Sequence, residues 1–268
     1  MLKKCSIIWD QVRIKTPLVH CITNYVTVND VANIILAGGA SPAMVENPSE
    51  AGDFAGLASV LYFNLGTLTR EQEAAMLEGA RAAGEKGVPV VIDPVACGVI
   101  ARKNQVISQI EELSSLACIK GNGAEIKSLA GIKAEARGVD SLDWGEGLED
   151  ACRSLARSKQ TVVAATGAVD VVADSQHMAL IKNGTELYAL ITGAGCMAGG
   201  VVAACIGANP EQPWLASVTG LLAFNIAGER AALASGHNPG TFRSLLCDQL
   251  YGLGGADIAA AARIEWLS

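Results

Sequence analysis

The chain has 268 residues, of which half are hydrophobic, 29 are glycine and only 4% are aromatic. An apolar surplus made of small aliphatic side chains excludes disorder and implies a closely packed core. Formal net charge is −7 and no basic stripe occurs, which argues against nucleic acid as a partner.

Lys3 and Lys4 open the chain, but the apolar run Cys5–Trp9 is broken by Asp10 and is too short for a signal-peptide core. A cytoplasmic protein is expected. Eight cysteines form no CxxC pair, and several stand in apolar runs such as Val201–Ile206, as buried reduced thiols do. No Pro/Ser-rich linker or charge block divides the sequence, so one domain over residues 1–268 is expected.

Short apolar runs end in polar or turn residues at Ser59–Phe63, Val88–Ile92, Ala117–Ile119 and Thr161–Ala165. Each reads as a buried strand emptying into a loop. Between them lies the helical pattern Thr69–Lys86, with Gln72 three residues after Thr69 as in a capping box. This alternation predicts an α/β fold, a single-domain three-layer α/β/α sandwich on a mostly parallel central sheet. In such sheets ligands bind beyond the carboxyl ends of the strands.

A hairpin is expected from Val169–Asp174 and His177–Lys182, followed by helices at Cys196–Ala208, Trp214–Ser235 and Thr241–Glu265. Within Leu187–Gly228, Glu211 is the only charged residue. Glycines 193, 195, 199 and 200 and the Asn209-Pro210 turn interrupt this stretch, and no Lys/Arg cluster flanks it. A buried helix pair is therefore expected, with no membrane span.

Thr192-Gly-Ala-Gly-Cys196 reads as a glycine-rich turn after a strand, opening a helix. Gly193, Ala194 and Gly195 would present backbone N–H groups to an anion at the positive end of the helix dipole. The alternative is a tight turn that allows close packing. Cys196, where the dipole favours a thiolate, can be a nucleophile, a general base or a packed thiol. A nucleophile needs an adjacent base, and none of His20, His177 and His237 has a context that supplies one. Asn122 and Glu125, one helical turn apart after a strand, and Asp93 after another, suit hydrated Mg²⁺ beside a nucleotide, or else simple helix caps. Together with the glycine turn these groups point to phosphoryl transfer.

Seven segments then carry a resemblance: Val19–Tyr25, Ala43–Glu46, Asn64–Thr67, Asp93–Gly98, Lys120–Glu125, Ala165–Gly167 and Thr192–Cys196. In this order, from about Ile14 to the C-terminal helices, the chain resembles the hydroxyethylthiazole kinases, ribokinase-like enzymes of thiamine salvage. The resemblance implies ATP- and Mg²⁺-dependent phosphorylation of the primary hydroxyl of 4-methyl-5-(2-hydroxyethyl)thiazole, in homotrimers with active sites between subunits. By motif position it implies that Met44, Gly193, Asn24 and Val26 line the substrate pocket and that Lys120 and Thr166 bind ATP. Asp93, Asn122 and Glu125 fall on its magnesium–phosphate network. Cys196 stands where ribokinase relatives carry an aspartate, which makes it the candidate base, or else a group that merely assists. Lys120 replaces the family's usual Arg and Ala194 its usual Thr, which puts nucleotide affinity in question. Rival readings are a pyrimidine- or pyridoxal-type kinase, a covalent cysteine enzyme and a membrane or binding protein.

Overall fold

The computed structural model describes residues 1–132 and 147–267. Runs rich in Val, Ile and Cys supply the parallel strands β1 (Leu18–Ile22), β2 (Ser41–Ala43), β3 (Val60–Asn64), β4 (Val90–Asp93), β5 (Leu116–Asn122) and β6 (Val162–Thr166). Three antiparallel strands, β7 (Asp170–Ala173), β8 (Met178–Ile181) and β9 (Ile264–Leu267), continue the sheet. Strand order among the described residues is β2-β1-β3-β4-β5-β6-β7-β8-β9.

The helices are α1 (Leu2–Lys15), α2 (Val28–Gly38), α3 (Pro48–Ala55), α4 (Arg70–Lys86), α5 (Ala101–Leu113), α6 (Gly123–Leu129) and α7 (Leu148–Lys159), then α8 (Ala194–Ala208), α9 (Pro213–Ala234), α10 (Pro239–Tyr251) and α11 (Gly255–Ala261). Helices α3 to α7 cover one face of the sheet in one apolar cluster, and α1, α2 and α8 to α11 cover the other in a second. The three-layer, mostly parallel architecture read from the sequence is the one observed.

Thr69 caps α4, and the reciprocal bonds with Gln72 complete the expected capping box. The hairpin also forms, its turn held by Asp174 Oδ1, which accepts from the backbone N–H groups of Gln176 and His177. The nearly chargeless stretch becomes the buried pair α8 and α9, and no helix among the described residues is long and apolar enough to cross a membrane.

Three expectations need correction. The C-terminal helix predicted over Thr241–Glu265 is divided into α10 and α11 at Gly252–Gly255, and the chain then pairs as β9 with β8. That edge recruits it through bonds of Arg263 to Lys182 and Asn183. The glycine turn follows no strand: a 3-10 turn at Glu186–Leu190, capped by Thr185, lies between β8 and α8. Lys120, expected in a loop, is inside β5, paired on one side with β4 and on the other with β6.

Candidate active site

Side chains alternate between the two faces of a strand. Leu61 and Phe63 of β3, Ile92 of β4 and Ile119 of β5 point into the α4 side, so Tyr62, Asn64, Asp93 and Lys120 point the opposite way, toward α8. Their strands end in register, with Asn64 opposite Asp93 and Asn122 opposite Thr166. The pleat thus gathers four polar residues, two at strand ends and two inside strands, into one row under the start of α8.

Helix α8 reaches that row because its side chains are small. Gly199 packs so closely on Tyr62 that a Cβ there would stand 2.4 Å from the phenol oxygen. At the helix start, Gly193 has φ +83°, a left-handed conformation that favours glycine, and a Cβ would meet Thr27 Cγ2 at 2.5 Å. No side chain among the described residues caps α8, so the first N–H groups of the helix remain available to an anion.

Cys196 in the first turn of α8 is the point where these elements meet. Its sulfur accepts from Asn64 Nδ2 at 3.2 Å and from Asn24 Nδ2 at 3.5 Å. Asn24 in turn donates to Asn64 Oδ1 at 2.9 Å and accepts from Thr27 N. The Tyr62 hydroxyl lies 3.0 Å from the Cys196 carbonyl and 3.2 Å from Asp93 Oδ2. Lys120 Nζ donates to Asp93 Oδ2 at 3.3 Å and to the Gly195 carbonyl at 2.9 Å, with both charged side chains buried.

Burial pushes the Asp93 carboxyl up, opposed by the Lys120 ammonium and reinforced by Glu125. Burial works to lower Lys120, but the neighbouring groups, Asp93 foremost, then Cys196 and Glu125, outweigh it and hold the lysine above its ordinary value. Cys196 moves against the sequence expectation. Burial and then the Asp93 charge raise its thiol above the ordinary value, and Lys120 and the donors Thr27 and Asn64 only partly offset them. The helix N-terminus does not make this cysteine a thiolate.

Asn122 and Glu125 cap α6 reciprocally: Asn122 Oδ1 accepts from Glu125 N at 2.9 Å, and Glu125 Oε2 accepts from Asn122 N at 2.8 Å. The capping alternative is therefore realised, and the Asn122 oxygen is engaged inside the box. Glu125 Oε1 also accepts from Ala96 N at 2.9 Å, tying the loop after Asp93 to α6. Among the described residues no three acidic, cysteine or histidine groups cluster as a closed metal cage. Mg²⁺ bound with a nucleotide asks the protein for only one or two carboxylates and keeps several waters. Two carboxylates act on the Lys120 charge under the start of α8: Asp93, bonded to Lys120 and Tyr62, and Glu125, bonded to Ala96 N and Asn122 N.

A model of the Hydroxyethylthiazole kinase family matches residues 9–255. The chain belongs to that family. It is 65% identical over 266 residues to the hydroxyethylthiazole kinase of Syntrophomonas wolfei, covering 99% of this chain and all of the relative. The structure of a hydroxyethylthiazole kinase protein from Pyrococcus horikoshii superposes with a TM-score of 0.90 at 33% identity, over 99% of this chain and 100% of that one. A ribokinase-like superfamily protein from Enterococcus faecalis shares the fold at 12% identity and a TM-score of 0.62, over 89% of this chain and 87% of that one.

With the family shown, the chain is a kinase and its fold is ribokinase-like. Of the residues singled out by sequence, Asn24, Gly193, Ala194, Gly195, Cys196, Asp93 and Lys120 come together around the start of α8. Met44 is half-buried against the same core. Val26 lies beyond Asn24 with its side chain 51% exposed. Thr166 closes β6 beside Asn122, and its hydroxyl donates to the Gly121 carbonyl at 3.3 Å.

Sequence reasoning missed Tyr62 as a site residue and gave Asn64 no role. Both were legible as even-numbered members of a strand whose odd-numbered partners are Leu61 and Phe63. No histidine bonds to Cys196 among the described residues: His20 Nε2 lies 2.7 Å from the Val45 carbonyl, and His177 stacks on Trp214. A surface cavity of about 690 Å³ beside Trp214 and Arg157 sits at the opposite end of the sheet and holds none of the site residues.

Proposed function

We propose that this chain phosphorylates the primary hydroxyl of 4-methyl-5-(2-hydroxyethyl)thiazole with ATP, giving the thiazole phosphate used in thiamine salvage. The reading rests on the family shown above, and its chemistry rests on one observation: an uncapped helix start lies directly over a buried Lys–Asp pair. Asn24, Val26, Met44 and Gly193 line the acceptor pocket, while Lys120 and Thr166 bind the nucleotide.

The hydroxyl oxygen attacks the γ-phosphorus, the bond from phosphorus to the ADP oxygen breaks, and the hydroxyl proton passes late to an oxygen of the transferred phosphoryl group. In a loose transition state the demand is for positioning and for charge stabilisation on the equatorial oxygens. The N–H groups of Ala194, Gly195 and Cys196 and the Lys120 ammonium supply that positive potential. Lys120 gives charge without the planar two-pronged fork of an arginine, and its bonds to Asp93 and Gly195 fix the ammonium instead.

Cys196 is protonated at neutral pH, so of the two roles open to it the assisting one is favoured. With its sulfur held by Asn24 and Asn64, the residue orients the acceptor hydroxyl, and the proton leaves late. When bound with ATP, Mg²⁺ neutralises charge on the phosphates. Asp93 and Glu125 would hold it, with Asn122 acting through the cap that orients Glu125. Asp93→Ala and Glu125→Ala are expected to raise the Mg²⁺ concentration needed for half-maximal activity, and unchanged magnesium dependence in both would refute their role.

The reading also takes residues 1–268 as one cytoplasmic domain that assembles as a homotrimer with active sites between subunits. Tyr25 and Val26, 71% and 51% exposed next to buried Asn24, support it, because apolar side chains bare at the mouth of a site suit a neighbouring subunit.

A further inference from the structure

Asp170 is the first residue of β7 and 4% exposed; among the described residues no cation reaches it within ion-pair distance, and Lys120 acts on it only as a more distant charge. A buried carboxylate without a cation is costly, and such a group persists where its hydrogen bonds hold something in place. Asp170 Oδ1 accepts from the backbone N–H of Gly167 at 2.8 Å, and its Oδ2 accepts from Asn225 Nδ2 on α9 at 2.7 Å. Gly167 directly follows Thr166, at the carboxyl end of β6, where the sheet changes from parallel to antiparallel.

The anchor on the other side is shared with the glycine turn. The residue next to Asn225 on α9, Phe224, accepts through its carbonyl from the Tyr188 hydroxyl at 2.7 Å, and the two rings stack with centroids 4.9 Å apart. Tyr188 belongs to the 3-10 turn that leads into Thr192–Cys196. Two consecutive residues of one buried helix therefore tie together the Thr166–Gly167 turn, through Asp170, and the approach to the helix N-terminus, through Tyr188.

We propose that Asp170, itself held by Asn225, is a positioning residue that sets affinity for the phosphate donor by fixing the Thr166–Gly167 turn against α9. The inference deepens the proposed function and rests on its assignment of Thr166 to the nucleotide. A turn free to drift loses donor contacts while Asn24 and Met44 of the acceptor pocket, which follow β1 and β2, keep their places.

Steady-state kinetics with ATP and the thiazole alcohol varied separately test this. Asp170→Ala is expected to raise KM for ATP about 10-fold, the scale of one lost charge-assisted hydrogen bond, and to leave KM for the alcohol within about twofold. Asp170→Asn, which keeps an acceptor for Gly167 N, should recover most of that loss. Asn225→Ala should raise KM for ATP about threefold, since it removes one of two anchors. Should Asp170→Ala fail to fold, the Asp170→Asn and Asn225→Ala values still decide the matter against melting curves of both variants. A raised KM for ATP in Thr166→Val together with an unchanged one in Asn225→Ala would overturn the inference, as would equal rises for both substrates. An unchanged KM for ATP in Thr166→Val would overturn the nucleotide assignment and the inference with it.

Discussion

At the scale of single residues, the chemistry turns on the protonation of Cys196. A thiol at a helix start is ordinarily a candidate thiolate, yet here burial and the neighbouring Asp93 charge prevail over the Lys120 charge and the Thr27 and Asn64 donors. Its folded pKa lies above the ordinary value of 9.0, so the fraction ionised at pH 7 is smaller than for a free thiol. In a Cys247→Ser background, which removes the other half-buried thiol, alkylation by iodoacetamide should accelerate only above pH 9. Half-maximal reactivity below pH 8 would contradict the assignment. Replacing the thiol by a carboxylate, as in Cys196→Asp, should keep or raise kcat, because the same burial that discourages a thiolate brings a carboxyl pKa toward the range of a useful base. Near-complete loss of turnover in that variant would show that sulfur does something an oxygen base cannot. The location of Cys196 was legible in the sequence; its charge state was not, because Asp93 is 103 positions away and only the folded sheet brings the two together.

At the scale of elements, the parts that sequence reveals are those with local causes. The α4 capping box, the Asp174 turn and the apolar runs of β3 to β6 each carry their reason within a few residues. Thr69→Ala, which removes one member of the box, should lower stability by about 1 kcal/mol in urea unfolding, with no change in KM. What escaped the sequence had distant causes. Gly252–Gly255 offered a visible helix stop, but the pairing of β9 follows from the open edge of β8, and nothing in Ile264–Leu267 alone names that partner. Similarly, Lys120 reads as a loop residue until β4 and β6 flank it. The closeness of α8 to the sheet is a further case, since its glycines show that something approaches but not what. Gly199→Ala, whose Cβ would collide with the Tyr62 ring, should cost about 1–3 kcal/mol of stability and reduce activity, as overpacking does. A melting temperature equal to the parent's would show that α8 and Tyr62 are less closely packed than described.

At the scale of the whole molecule, a low-aromatic, glycine-rich composition has a mechanical consequence. Small side chains let two long apolar helices lie tightly on one face of the sheet, so that a helix start reaches the polar row of Asn64, Asp93 and Lys120. The excess hydrophobicity that raises the question of a membrane is spent on that layer. The proposed homotrimer predicts a solution mass three times that of the monomer, which light scattering after size exclusion will measure. The family fixes the kind of enzyme, and product formation tests its proposed acceptor directly. Purified protein incubated with ATP, Mg²⁺ and 4-methyl-5-(2-hydroxyethyl)thiazole should yield the thiazole phosphate ester and ADP in equal amounts. Absence of that ester, together with turnover of pyridoxal or hydroxymethylpyrimidine under the same conditions, would contradict the thiazole assignment.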